Sequence, residues 1–225
     1  MPAFHHFSTG LLVMIVICIT WSWYMLANPP DLDHVKFNTT VFKTGDLILF
    51  HAYDNINPVF IGSYWGHVGI VYIDPDDTQC IPYLFEALNI NEIKCCPEYN
   101  INGIAFTNLR TRLEKYPGLL AHKPLNVSLQ SGIARGFKEF IRYAKNNMYY
   151  NSDIFSNVLK KIQGESFHNG TNCGEITILS LIKLGLLPEL QGDQKIIHPL
   201  LYITTLETVQ NNSYNTSKIL DFNKF

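Results

Sequence analysis

The sequence predicts an α+β fold: an antiparallel sheet packed on helices, preceded by one N-terminal transmembrane helix. Three observations carry this. From Val41 the chain shows short apolar runs bounded by turn residues, helical spacing takes over in the second half, and a long uncharged segment lies near the start. The 225 residues are 47 % apolar and 16 % charged, enough for a core, so disorder over most of the chain is excluded. The 17 Lys and Arg against 19 Asp and Glu give a net charge of −2. A nucleic-acid binder needs a basic surface to displace counterions, so no nucleic-acid partner is expected. Cys18, Cys80, Cys95, Cys96 and Cys173 form no Cys-x-x-Cys pair, which argues against a zinc ribbon or a dense disulfide scaffold.

Residues 1–30 read as a membrane anchor. Gly10 to Ala27 carries no charge. As a helix it would span about 27 Å, close to the roughly 30 Å of a bilayer core. Trp21, Trp23 and Tyr24 lie where an interfacial aromatic belt would stand, and Asn28-Pro29-Pro30 stops the helix. A cleaved signal peptide and a buried core helix are the competing readings. The first lacks a Lys/Arg region, and Met25-Leu26-Ala27 is a poor cleavage site. The expected localisation is single-pass membrane, with the lipid bilayer as partner. Lys36 and Lys43 follow the span and favour a cytoplasmic catalytic side. Glycosylation sequons at Asn38, Asn126, Asn169, Asn211 and Asn215 point the other way, so both orientations stay open.

Residues 31–40 read as a polar linker, 41–210 as the globular domain and 211–225 as a polar C-terminal tail. Within the domain, Asp46 to His51 is an apolar run after a Thr-Gly turn, hence a strand. Gly66 to Tyr72 is a second, closed by the turn Asp74-Pro75-Asp76-Asp77, and Tyr83 to Leu88 is a third. Residues 101–109 read as a fourth, and neighbouring strands close in sequence suggest a meander. Ser131 to Asn147 has Ile133, Phe137, Phe140, Ile141 and Ala144 at helical spacing. Ile154 to Ile162 is a weaker helix. Cys173 to Leu187 is the clearest, with Thr171 or Asn172 as N-cap, Gly185 near its end and Pro188 beyond.

Cys173 opens that helix. Unpaired N–H groups and a partial positive charge at a helix N-terminus favour thiolate, the nucleophilic form, and can hold an oxyanion. On position alone a buried, inert cysteine fits as well. A nucleophilic cysteine needs a base. Alternation puts His67, Gly69 and Val71 on one face of their strand, where an imidazole must find a partner. A core histidine bonded to backbone is the plainer alternative. Glu86 lies inside Leu84-Phe85-Glu86-Ala87-Leu88, where a carboxylate is costly unless paired. On a strand beside that of His67 it would accept the imidazole N–H. On an edge strand it would face water instead.

The order Thr44-Gly-Asp-Leu-Ile-Leu-Phe50, Gly66-His-Val-Gly-Ile-Val71, Phe85-Glu-Ala87, Asn172-Cys-Gly-Glu175 resembles the circularly permuted branch of the NlpC/P60 papain-like superfamily, within it the YiiX-like amidases and peptidases and their relatives in large DNA viruses. The resemblance covers about Val41 to Pro188. It implies Cys173 as nucleophile, His67 as general base and Glu86 as the group orienting it, in a membrane-anchored cysteine amidase or peptidase working by acyl transfer. No metal or organic cofactor is required. Gly174 stands where that group usually has Ser, and Glu175 keeps its carboxylate, read as structural at the helix start. The related lecithin:retinol acyltransferase-like branch commonly has His where this chain has Glu86, which turns the reading toward amide hydrolysis. The expected substrate is a peptide or amide. A lipid-directed thiol acyltransferase or esterase with an acyl-lipid substrate, and an inactive membrane or virion component, are the alternatives. Low charge and abundant Asn and Ile fit an AT-rich viral genome.

Residues 55–64 and 89–130 have no counterpart in that core and read as a lid or substrate wall. His51 lines the site or ends a strand at the surface, and His168 is a loop histidine near Cys173 in sequence. Cys80, Cys95 and Cys96 could hold one disulfide in an oxidising compartment, though adjacent Cys95 and Cys96 are badly placed to bond each other.

Overall fold

The computed structural model describes residues 16–17, 20, 31–51, 64–88, 100–151, 170–187, 214–215 and 217–221. Its frame is a mixed α+β arrangement around one large sheet. The strands in chain order are β1 (His34–Lys36), β2 (Leu47–His51), β3 (Trp65–Ile73), β4 (Pro82–Ala87), β5 (Asn100–Ile101), β6 (Ile104–Asn108), β7 (Leu120–Lys123), β8 (Tyr149–Tyr150), β9 (Gly170–Thr171) and β10 (Lys218–Asp221). The helices are α1 (Leu109–Glu114), α2 (Ser131–Asn147) and α3 (Cys173–Lys183). Among the described residues the large sheet runs β1-β10-β7-β2-β3-β4-β6-β5, and β8 and β9 form a small parallel pair. All its pairings are antiparallel except β1 with β10.

Alternation divides the central strands between two cores. Leu47, Leu49, Val68, Ile70, Tyr72, Phe85 and Ala87 face α2 and α3, meeting Phe137, Ile141, Ile176 and Leu181. Ile48, Phe50, Val71 and Leu84 face the other way, onto Leu109 and Leu113 of α1. With both faces covered, β2 reads as a continuous apolar run rather than an alternating one. Gly69 has no side chain because an ideal Cβ there would lie 2.9 Å from Leu84 Cγ. The α3 helix ends where Gly185 takes φ +69, with its N–H on the Ile182 carbonyl and that of Leu186 on Leu181.

A buried carboxylate ties the entry of β2 to β7. Asp46 is fully buried, and its Oδ2 pairs with His122 Nε2 at 2.8 Å and accepts from Lys43 N–H at 2.9 Å. Its Oδ1 accepts from Leu125 N–H at 2.8 Å.

Several expectations need correction. The 31–40 linker contains β1 and a 3₁₀ turn, Phe37–Thr39, whose Phe37 is buried. An edge strand needs little apolar sequence, so polarity concealed it. The 211–225 tail contains β10, inserted between β1 and β7, and Tyr214 is buried with its hydroxyl donating to the Gly45 carbonyl at 2.7 Å. Ile219 and Leu220 bury one side chain to each core, too short a pattern to register as periodicity. The 89–130 wall is, over residues 100–123, part of the sheet and its helix α1. The expected strand 101–109 is interrupted by a turn at Asn102 (φ 55) and Gly103 (φ 83), the Asn-Gly turn that matches strand twist in a hairpin.

The expected transmembrane segment lies outside the described residues except for Val16, Ile17 and Thr20, which are helical. Among the described residues no helix is long and apolar enough to cross a membrane. The expected helix 154–162 and most of the 55–64 insertion also lie outside the described residues.

Candidate active site

His67 and Glu86 stand on paired strands. The register Ile70↔Phe85 sets β3 against β4, and alternation puts both side chains on the α1 side of the sheet. His67 Nε2 meets Glu86 Oε2 at 2.7 Å. Glu86 is fully buried on an interior strand between β3 and β6, so the water-facing edge position does not apply. Phe50, directly opposite His67 on β2, packs against the imidazole with ring centroids 5.0 Å apart.

Cys173 reaches this pair from another element. Helix α3 packs across β3 and β4, which brings its first residue close enough to the His67 ring to raise the ring's pKa. With Nε2 engaged by Glu86, Nδ1 is the ring nitrogen left for the thiol. The start of α3 is fixed by a capping box. Asn172 Oδ1 accepts from Glu175 N–H at 3.0 Å, and Glu175 Oε2 accepts from Asn172 N–H at 3.2 Å. Asn172 is therefore the N-cap, and Glu175 serves the helix start, as its charge favours there.

Sequence reasoning missed Arg112. Its Nε donates to Glu86 Oε1 at 2.7 Å, and its Nη2 reaches Oε2 at 3.3 Å. The guanidinium lies 4.8 Å over the Phe50 ring and 5.8 Å from that of Tyr116. The Tyr116 hydroxyl donates to the His51 carbonyl at the end of β2. A signal existed: Arg112 falls between Leu109 and Leu113 on the apolar stripe of a short helix, where a charge requires a buried partner.

Electrostatics follow from this geometry. Burial alone would raise the Glu86 carboxyl, but the Arg112 guanidinium and the His67 ring outweigh it and hold the pKa at about 2. Burial alone would lower His67, but Cys173, through charge and hydrogen bonding, and Glu86 outweigh it and raise the ring to about 9. The arrangement can hold a negative sulfur, a protonated imidazole and a carboxylate in sequence, with a fourth, cationic group behind.

The other candidates separate. The His51 ring stacks on Tyr64 at 4.2 Å, its Nε2 is buried without a hydrogen-bond partner among the described residues, and burial lowers its pKa. It is thus not the surface residue expected at a strand end. Cys80 is a free, exposed thiol, while His168, Cys95 and Cys96 lie outside the described residues. Among the described residues, no group of three or more His, Cys, Asp or Glu side chains is arranged to hold a metal ion.

No family model matches the sequence, and no curated protein matches it. Among solved structures, the chain is similar to the crystal structure of metalloprotein YiiX from Escherichia coli O157:H7, described as DUF1105. That likeness has a TM-score of 0.43 and 13 % identity, covering 79 % of this chain and 88 % of the other.

Proposed function

We propose that the protein is a cysteine hydrolase that cleaves an amide by acyl transfer to Cys173. The observation supporting this is the His67 ring paired with the buried Glu86 carboxylate at 2.7 Å and influenced by the Cys173 thiol, which opens a helix. His67 takes the thiol proton, and its raised pKa favours the imidazolium that results. The sulfur attacks the carbonyl carbon, and the C=O electron pair moves onto oxygen. Collapse expels the amine, which takes the His67 proton. Water then attacks the thioester, giving a proton to His67; the C–S bond breaks, the carboxylic acid leaves, and the sulfur regains its proton from His67.

The first turn of α3 offers donors for the oxyanion. The capping box consumes the Glu175 N–H, and those of Cys173 and Gly174 precede the first intrahelical bond, which Ile176 makes. The uncharged segment Gly10 to Ala27 supports a membrane anchor, which would hold the site near a bilayer.

Residue-resolved alkylation with iodoacetamide tests the reading, with exposed Cys80 as internal reference. At about pH 6.5, Cys173 is expected to react at least about tenfold faster than Cys80. His67→Ala is expected to remove that advantage. Equal rates at the two cysteines would overturn the assignment.

A further inference from the structure

Glu86 has two oxygens and three donors competing for them. Arg112 Nε takes Oε1 at 2.7 Å, while Oε2 meets His67 Nε2 at 2.7 Å and Arg112 Nη2 at 3.3 Å. The guanidinium cannot swing away without losing its place over Phe50 and Tyr116, and Phe50 is also the wall against which the His67 ring packs. Tyr116 is joined to the β2 end through the His51 carbonyl. The helix carrying Arg112 starts at a capped position, with Asn108 Oδ1 accepting from Thr111 N–H at 3.1 Å. One connected set of side chains thus runs from α1 through β4 and β3 to the head of α3.

We propose that Arg112 is a positioning residue of this site: by filling Oε1 of Glu86 it reserves Oε2 for His67 Nε2, so that the ring presents Nδ1 to Cys173. This deepens the acyl-transfer reading and rests on it for its catalytic meaning. Arg112 also sets the charge of the cluster. The groups acting on the His67 ring are Glu86 from β4 and Cys173 from α3, and the cation of α1 lies behind Glu86. Phe50, facing the ring from β2, is apolar. Removing one positive charge makes the cluster more negative, so every proton in it is held more tightly.

Two variants separate charge from geometry. Arg112→Met removes both, and Arg112→Lys keeps the charge but loses the planar fork. The first measurement is titration of the His67 ring by NMR, which does not depend on thiol reactivity. Arg112→Met is expected to move its midpoint up by about two pH units, the scale of a unit charge about 6 Å away at effective dielectric about 20, and Arg112→Lys to leave it in place. The second is Cys173 alkylation at neutral pH, expected to fall about tenfold in both variants as the ring loses its orientation.

An arginine that only stabilises the fold would lower the unfolding midpoint and, with its charge kept in Arg112→Lys, leave the Cys173 alkylation rate of that variant unchanged. The proposal is overturned by an unmoved His67 midpoint in Arg112→Met, or by a full alkylation rate in Arg112→Lys. Should Arg112→Met not fold, the Lys variant decides through that rate. If wild-type Cys173 proves no faster than Cys80, the hydrolase reading falls while the His67 titration still judges Arg112.

Discussion

Replacing Glu86 by Gln should cost the protein several kcal/mol, and the cost should fade in acid. The carboxyl is fully buried between His67 and Arg112, and its pKa falls from the ordinary 4.5 to about 2. At about 1.4 kcal/mol per pH unit, ionised Glu86 contributes about 3 kcal/mol to folding. Because the folded value is depressed, that stability is whole above pH 4.5 and is lost as pH falls through about 2. His67 shows the opposite sign. Raised from 6.5 to about 9, it stabilises fully below pH 6.5 and loses its contribution as pH climbs through about 9. The two displacements describe one cluster seen from both ends and are not added.

At pH 6 both contributions are intact. Glu86→Gln leaves the Arg112 guanidinium, whose side chain is 11 % exposed, and the imidazolium facing a neutral amide. Breaking a buried pair in this way costs about 3–5 kcal/mol. At pH 3 the wild type has itself lost about 2 kcal/mol of the contribution, so the difference between the proteins narrows by that amount. Urea denaturation of both proteins at pH 6 and pH 3, with equal slopes, measures this directly. A loss under about 1 kcal/mol at pH 6, or an equal loss at both pH values, would refute the reasoning.

Two other substitutions probe the frame around the site. Gly69→Ala forces a methyl against Leu84 at 2.9 Å and should destabilise by about 1–3 kcal/mol. Adding Leu84→Ala should recover part of that loss, and strictly additive losses in urea would count against the contact. Asp46→Ala strands the buried donors of His122 and Leu125, at about 1–3 kcal/mol each, and also removes the acceptor of the part-buried Lys43 N–H. A total loss of about 3 kcal/mol or more is expected in urea or thermal unfolding. A change within about 0.5 kcal/mol would show that those donors find other acceptors.

Elements with strong local patterns were readable from the residues. Helix α2 occupies Ser131–Asn147, the span its apolar spacing indicated, and α3 begins at Cys173 behind an Asn N-cap. The faces of β3 also followed from alternation, with His67 and Val71 on one side and Val68, Ile70 and Tyr72 on the other. Elements lacking such patterns were not. The edge strand β1, the inserted β10 and β7 each have three or four residues and draw their order from neighbours distant in sequence. The helix α1 was hidden for a different reason: six residues give less than two turns of periodicity, and the arginine on its buried stripe reads as surface.

Residue type and spacing alone determined which groups could react: a thiol at a helix start, an imidazole inside a strand, and a carboxylate in an apolar run. That information is local, because capping and alternation act over a few residues. Only the tertiary structure decided what each group meets. The pairing of β3 with β4 brings His67 to Glu86, the packing of α3 across them brings Cys173 to the ring, and α1 brings Arg112 behind the carboxylate. These contacts join positions far apart in the chain, and a buried charge finds its partner only once the core that excludes water has formed.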